Sequence, residues 1–328
     1  MDYLMLTQPQ YKQDATASWA PGTSLIYLVA FCDAAYLALA AQMLRTLYHF
    51  GGYCGDVLFI TEEALKASIL AMPELVHFKV HFLILGPCFR GPKEEQRLVA
   101  AVARMRVFEF DGIQRFNTLL YLDTDILVLN KIQPLLDGLS GGQYMSAMPE
   151  MTICSPYHGG HLLFWYLANT EPVRMSDPIK GYEYYMDRMS ILSDVGCQQK
   201  SFNTGVLLVP NSAWMRDFFN ATVAHVNEWM RLGFRLPKAM EQPFITFQGH
   251  RYRAVQFYPV RNMTQVLYLS DSQFATRTPD PAAVLVHFPM RGGQKKQLMR
   301  AFMQRNRIVL QADKHHGATC TSQPERAK

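Results

Sequence analysis

The sequence has 328 residues, 49% hydrophobic and 18% charged, which suits one large α/β domain and argues against extensive disorder. Its formal net charge of +5 suits an anionic ligand, but the absence of an arginine-rich stripe argues against nucleic-acid binding. No apolar run is long enough to cross a bilayer and residues 1–20 lack the apolar core of a signal peptide, so we expect a cytoplasmic protein.

The six cysteines are scattered and none shows C-x-x-C spacing, which excludes a zinc ribbon and a thioredoxin-like redox site. Scattered cysteines in a chain of this size are more often buried thiols than disulfides, and we expect thiols here. The N-x-S/T sequons at Asn220 and Asn262 are interpreted as chance matches, because no secretory signal precedes them.

Strands and helices alternate through the first third of the chain, after a loose leader over residues 1–23. The predicted elements are a strand over 25–31, a helix over 34–50 capped by Asp33, a strand over 57–60, a helix over 62–70, a strand over 76–82 and a helix over 94–110. This alternation favours an α/β fold with a mostly parallel sheet covered by helices on both faces. Such sheets bind ligands where their strands end.

An acidic pair interrupts the densest apolar run, residues 119–129, at Asp123-Thr124-Asp125. Residues at i and i+2 of an extended segment point the same way, so the two carboxylates can converge on a hard cation such as Mg²⁺ or Mn²⁺. Alternatively, they are solvated turn residues. A phosphatase strand ending in D-x-D-x-T is a third interpretation, disfavoured because Leu127 stands where that motif needs a hydroxyl.

The second half begins with residues 150–200, a stretch rich in Tyr, Met and Trp that is either an acceptor-side insertion or an ordinary subdomain. A strand is predicted over 202–209, helices over 212–231 and 238–249, and a last strand over 283–288. The residues after 307 show no pattern.

Several segments, in this order, resemble those of glycosyltransferase family 8, the glycogenin-like group. They are Leu28–Tyr36, Arg106, Tyr121–Leu129, Phe202–Val206, the pair Glu241-Gln242, and Leu285–Phe288. The resemblance implies a GT-A fold, which is a Rossmann-like, mostly parallel mixed sheet flanked by helices. We expect one such domain over 24–307, with the insertion at 150–200 and a flexible tail over 308–328.

The resemblance also implies a metal site formed by Asp123, Asp125 and His287. The expected ion is Mn²⁺, with Mg²⁺ as the alternative, because an imidazole ligand favours Mn²⁺. A lone histidine on an apolar strand is otherwise most often an ordinary core residue.

The implied donor-binding residues are Tyr36, Arg106, Asp123, Gly292, Lys295 and Lys296. Tyr36 stacks on the uracil ring or packs in the core, and Arg106 contacts the donor or pairs with Glu109. Gly292 lets its backbone approach the diphosphate or only turns the chain. One of the two lysines holds the diphosphate, or both belong to a solvated basic face. The shifted spacing leaves Lys295 and Lys296 as alternatives.

The implied catalytic residues are Asn203, Glu241 and Gln242. The two amides suit sugar hydroxyls, with Gln242 near the anomeric carbon. Glu241, which replaces the aspartate usual in the family, either orients the acceptor or acts as a base.

The function that follows is retaining transfer of a hexose from a UDP-sugar to a glycan, lipid, polyol or protein hydroxyl, with a homodimer as the expected assembly if the chain is not monomeric. One alternative is a self-glycosylating primer that uses a tyrosine such as Tyr268. The other is a non-catalytic scaffold that binds nucleotide sugars.

Overall fold

The computed structural model describes residues 23–31, 34–87, 93–139, 142–152, 199–231, 240–267, 277–289 and 295–308. Ten strands lie in these ranges: β1 Ser24–Ala30, β2 Asp56–Glu62, β3 Lys79–Leu85, β4 Thr118–Leu122, β5 Ile126–Val128, β6 Met145–Thr152, β7 Lys200–Pro210, β8 Val255–Gln256, β9 Thr264–Val266 and β10 Leu285–His287. They form a seven-stranded sheet in the order β3-β2-β1-β4-β7-β6-β8 and a three-stranded sheet in the order β5-β10-β9.

The seven-stranded sheet is mixed but mostly parallel, as the sequence predicts. The pairs β1–β2, β2–β3, β1–β4 and β6–β8 are parallel, whereas β7 runs antiparallel to both of its neighbours, β4 and β6. Ligand-binding loops of such sheets gather at the carboxyl ends of the parallel strands. Here that edge is where β4 ends, directly before Asp123.

Helices cover the sheet: α1 Ala35–His49, α2 Glu63–Leu70, α3 Lys93–Ala103, α4 Gln133–Asp137, α5 Ala213–Arg231, α6 Gln242–Arg251, α7 Val260–Met263 and α8 Lys295–Arg305. Among these described helices, none combines the length and the apolar character needed to cross a membrane. The hydroxyl of Ser212 caps α5 by accepting a hydrogen bond from the Met215 N–H at 3.2 Å.

The central strands are mostly apolar because both of their faces are covered. Along β1, Ile26 and Leu28 belong to one buried layer, while Leu25 and Tyr27 belong to the opposite layer. Side chains alternate between faces along a strand, so a strand buried on both sides loses the polar alternation of a surface strand.

The small sheet carries α8 on its outer side. Met299, Phe302 and Met303, spaced at helical intervals, pack with Leu127 and Val286 in a separate apolar cluster. In the sequence, this segment indicates only a basic stretch and no helix is predicted there, because its positive charges obscure the apolar face.

Two predicted elements have different limits in the structure. The strand predicted over 76–82 begins at Lys79, because Pro73 starts a 3₁₀ helix that continues to His77. The helix predicted over 94–110 is α-helical to Ala103 and then continues as a 3₁₀ helix over Arg104–Glu109.

The expectation of thiols throughout is wrong at Cys54, which is disulfide-bonded. The other five cysteines lie outside the described residues. Disulfides depend on the distance between α-carbons in space, which scattered sequence positions do not reveal. The predicted helix cap Asp33 and most of the predicted insertion, residues 153–198, are likewise outside the described ranges.

Candidate functional site

Three side chains with metal-ligand chemistry meet where the two sheets join. Asp123 and Asp125 flank Thr124 in the turn between β4 and β5, and His287 ends β10, where it is paired with Ile126 of β5. His287 Nε2 lies 3.3 Å from Asp125 Oδ1 and 3.7 Å from Asp123 Oδ2. One ligand atom from each residue falls within 4.8 Å of the others, so this triad could hold a single ion.

The unsatisfied atoms of the triad fit a cation. Asp125 Oδ1 and both ring nitrogens of His287 are buried without a hydrogen-bond partner among the described residues. Buried polar atoms are normally satisfied, and leaving them unpaired is costly. Two carboxylates and an imidazole are a donor set suited to a divalent metal, so the residues fit the ion that the sequence predicts.

Gly205, on β7, brings backbone against this triad. Its carbonyl oxygen accepts a hydrogen bond from the Asp123 N–H at 2.8 Å. A Cβ at this position would overlap the His287 ring and lie 2.7 Å from its Nε2 and 2.9 Å from Asp123 Oδ2. Only glycine therefore permits the two ligands to approach the strand this closely.

Of the two candidate lysines, Lys295 is the one that contacts the triad. Its Nζ donates to Asp125 Oδ2, and no such contact of Lys296 is found in the described part of the chain. Burial raises the pKa of Asp125, but the neighbouring His287 and Lys295 outweigh it and bring the pKa to about 2. Burial lowers the pKa of Lys295, but the carboxylate of Asp125 outweighs this effect and raises it.

Tyr36 lies at the same edge of the site. It is 37% exposed, which leaves ring surface accessible, and its phenol is close enough to Lys295 to raise the pKa of that lysine. Gly292 and Tyr268, the first expected near the diphosphate and the second suggested as an acceptor, lie outside the described residues.

A buried arginine that sequence reasoning missed connects the triad to Glu241. Arg104 Nη1 donates to the Thr204 carbonyl at 2.6 Å and lies 3.5 Å from both Asp123 Oδ1 and Glu241 Oε1. Its guanidinium also lies over the Tyr121 ring, 4.5 Å from the centroid. The arginine therefore offsets two carboxylates at once.

Arg106, the arginine chosen from the sequence, lies elsewhere. Its guanidinium forms two hydrogen bonds with the Glu109 carboxylate, at 2.6 and 2.5 Å, and its side chain is 40% exposed. The two arginines are two positions apart, and the 3₁₀ helix turns the first one toward the sheet. No local pattern in the sequence distinguishes Arg104 from Arg106.

Two more side chains hold the carboxylates in place. The Tyr121 hydroxyl donates to Asp123 Oδ1 at 2.5 Å, and burial raises the pKa of Tyr121 well above its ordinary value, so it remains a donor. The Thr204 hydroxyl donates to Glu241 Oε1 at 2.7 Å. Glu241 is buried and bound by Thr204 and Arg104, so we interpret it as a residue that holds the site together.

Asn203 and Gln242 are brought together by a residue that the sequence did not indicate. Asn203 Nδ2 donates to Glu150 Oε1 at 3.0 Å, and Gln242 Nε2 donates to Glu150 Oε2 at 2.5 Å. Asn203 Oδ1 accepts the Gly205 N–H at 2.8 Å. The amide pair and the triad thus belong to one connected network.

The chain is similar to proteins of known class. Residues 92–296 match the sequence profile of glycosyl transferase family 8. The fold is similar to that of an active-site mutant of LgtC, with a TM-score of 0.50 and 14% identity, covering 84% of this chain and 94% of that chain. It is also similar to apo WbbM, a bifunctional glycosyltransferase, with a TM-score of 0.50 and 11% identity, covering 86% of this chain and 50% of that one. No curated protein sequence matches the chain.

Proposed function

The chain belongs to glycosyltransferase family 8 and is a glycosyltransferase of GT-A fold, and we propose that it transfers a hexose from a UDP-sugar to an acceptor hydroxyl with Mn²⁺ and retention of anomeric configuration. The observation that carries the metal and donor parts of this proposal is the triad, because three of its buried polar atoms have no hydrogen-bond partner among the described residues. Divalent cations commonly bind carboxylates and substrate phosphates together, and these residues form a place for such an ion.

The bound ion would neutralise the diphosphate and make it a better leaving group. Asp123, Asp125 and His287 would hold it. Lys295, in contact with Asp125, adds a positive charge for a phosphate oxygen and stabilises the charge that develops there. Arg104 keeps Asp123 and Glu241 in place, so its effect on the donor is indirect.

We assign the contacts with the donor sugar and with the uracil ring to the remaining candidate residues. The exposed ring surface of Tyr36 suits stacking on uracil. Gln242 is assigned to the anomeric side of the sugar. Retention is inferred from family membership, with the acceptor hydroxyl attacking from the face that the diphosphate leaves. NMR of the anomeric proton of the first product tests this: an inverted configuration would reject it.

The decisive experiment is a screen of UDP-sugars, measured as donor hydrolysis without acceptor. We expect hydrolysis of at least one UDP-hexose with Mn²⁺, weaker hydrolysis with Mg²⁺ and none with EDTA, while far-UV circular dichroism stays unchanged. Hydrolysis that survives EDTA would remove the metal from the proposal. Tight UDP-sugar binding without hydrolysis or transfer to a panel of acceptors would favour the scaffold.

Cellular location, acceptor class, homodimer formation and the domain limits 24–307 stay predictions. The disulfide at Cys54 counts against the expected cytoplasm, because disulfides persist mainly in oxidising compartments. Alkylation of the native host before lysis, followed by peptide mass mapping, decides this point: a cytoplasmic protein would carry the alkyl group on Cys54.

A further inference from the structure

A carboxylate without a role in the proposed chemistry lies between the two amides of the site. Glu150 is on β6, and among the described residues its Oε1 accepts a hydrogen bond from Asn203 Nδ2 at 3.0 Å and its Oε2 accepts one from Gln242 Nε2 at 2.5 Å. An ionised carboxylate only accepts hydrogen bonds, and an amide donates only from its nitrogen. Both amides must therefore turn their NH₂ groups toward Glu150.

Both polar atoms of the Asn203 side-chain amide form hydrogen bonds within the protein. Its Nδ2 is bound to Glu150, and its Oδ1 accepts the N–H of Gly205, the residue packed against His287 and Asp123. This geometry leaves Asn203 little freedom to bind a sugar hydroxyl through its oxygen. Its role here is to connect Glu150 to the strand that supports the metal ligands.

Among the described residues, only the nitrogen of the Gln242 side-chain amide has a hydrogen-bond partner. Its Nε2 is bound to Glu150, and its Oε1 has no hydrogen-bond partner among the described residues. The preceding residue, Glu241, is held by Thr204 and Arg104 beside Asp123. The backbone of Gln242 is thus tied to the triad, and Glu150 decides which end of its amide is available.

We propose that Glu150 is a positioning residue that presents the carbonyl oxygen of Gln242 to the donor sugar. This inference rests on the proposed function, in which Gln242 lies near the anomeric carbon. As the bond from that carbon to the diphosphate oxygen breaks, its electron pair leaves with the diphosphate and positive charge develops on the sugar. The negative end of a fixed amide dipole stabilises that charge, whereas an NH₂ group would oppose it.

Glu150→Gln tests the orientation without removing the hydrogen bonds. The new side-chain amide keeps one carbonyl oxygen for Asn203 and presents its own NH₂ to Gln242, which must then reverse its amide. We expect kcat to fall at least about 100-fold, the size of effect seen when one oriented dipole is lost from an active site. KM for the donor, UDP affinity and the unfolding midpoint should stay close to wild type. Glu63→Gln, an exposed carboxylate on α2, is the matched control and should change none of these.

A paired substitution separates orientation from packing. Gln242→Glu alone places two carboxylates against each other and should lower the unfolding midpoint. In the Glu150→Gln, Gln242→Glu double variant, residue 150 donates to residue 242 and accepts from Asn203, so both of these hydrogen bonds return with an oxygen presented to the sugar. We expect the midpoint to recover and kcat to exceed that of Glu150→Gln alone.

The proposal is overturned if Glu150→Gln keeps kcat within about twofold of wild type, or if its loss of kcat follows from an equal loss of folded protein. If wild type is inactive with every donor, the proposed function fails, and the orientation is then measured directly. The side-chain ¹⁵N–¹H₂ signals of Gln242, assigned by their disappearance in Gln242→Leu, should shift in Glu150→Gln. Unshifted signals reject the role of Glu150 whatever the activity.

Discussion

At the scale of single residues, Asp125 is a buried carboxylate whose charge is balanced by Lys295 and His287. Asp125→Asn keeps the shape but removes a ligand charge, so we predict that Mn²⁺ affinity and turnover each fall at least about 100-fold. Titration calorimetry with Mn²⁺ and steady-state hydrolysis measure the two effects. The exposed Asp111→Asn serves as control, and a variant at position 125 that still binds Mn²⁺ normally would show that the ion binds elsewhere.

Because Gly205 lacks a side chain, His287 and Asp123 can lie close to its backbone, and a larger residue would displace them. In Gly205→Ala, the added methyl group would overlap His287 and Asp123, so the imidazole must move. We predict a roughly 10- to 100-fold loss of Mn²⁺ affinity with a stability loss of about 1–3 kcal/mol. Gly86→Ala is the matched control, because a Cβ there meets nothing within 4 Å. Equal Mn²⁺ affinity in both variants would contradict the close approach of β7.

The two arginines of the 3₁₀ helix should differ sharply on substitution. Arg104→Leu leaves Glu241 and Asp123 without their buried cation, which typically costs roughly 3–5 kcal/mol. Arg106→Leu removes an exposed pair with Glu109, worth under about 1 kcal/mol. Urea unfolding measures both free energies. The assignment of Arg104 to the site fails if the second substitution is the more damaging one.

At the scale of elements, α8 carries Lys295 on its first turn and is attached to the small sheet by its apolar face. Met299→Ala leaves a gap in that cluster, and we predict a stability loss of about 2–5 kcal/mol. Because Lys295 loses its support, affinity for UDP should fall as well. Gln297→Ala, on the exposed face of the same helix, should leave both quantities unchanged. If both variants fold stably but bind UDP weakly, the two faces of α8 do not have the separate roles proposed here.

The turn between β4 and β5 is the element that creates the acidic pair's geometry. The sequence predicts one extended segment in which residues i and i+2 point the same way. The structure instead ends β4 at Leu122 and begins β5 at Ile126, in the other sheet. The two carboxylates converge because the chain turns at Thr124 as it passes from one sheet to the other. The two carboxylates are therefore close together as predicted, but because of a turn and not because they lie on one extended strand.

At the scale of the whole molecule, the triad joins residues from both sheets, so metal binding should stabilise the fold. A ligand that binds only the folded state adds about 2.7 kcal/mol at 100 times its dissociation constant. We predict a rise in unfolding midpoint with Mn²⁺ that EDTA reverses and that Asp125→Asn lacks. A shift of equal size in that variant would mean that the stabilising ion binds at another place.

Much of the fold was predictable because the central strands and helices have strong local patterns. The mostly apolar runs of β1, β2 and β7 indicate buried strands, and the structure confirms each within one or two residues. Short elements such as β8 and β9 escaped prediction because two or three residues show no period.

The residues of the site also fall into some that the sequence indicated and some that it did not. Asp123, Asp125 and His287 stand out because charged or polar groups in apolar strands are costly without a partner. Glu150 shows no such signal, since it reaches Asn203 only through the pairing of β6 with β7 and the irregular register that follows Pro149. Arg106 was chosen because the family resemblance placed a donor-contacting basic residue shortly before the acidic strand, and only the packing of the 3₁₀ helix on the sheet shows that Arg104 is the arginine beside Asp123.

The sequence alone thus determined the α/β class, the family resemblance and the three metal-ligand candidates, because these depend on residue types and local spacing. The tertiary structure decided which groups surround them. Arg104 meets the carbonyl of Thr204 across 100 positions, and Gln242 meets Glu150 across 92. Contacts of that separation are fixed by strand pairing and by the packing of helices on the sheet, and no local pattern in the chain encodes them.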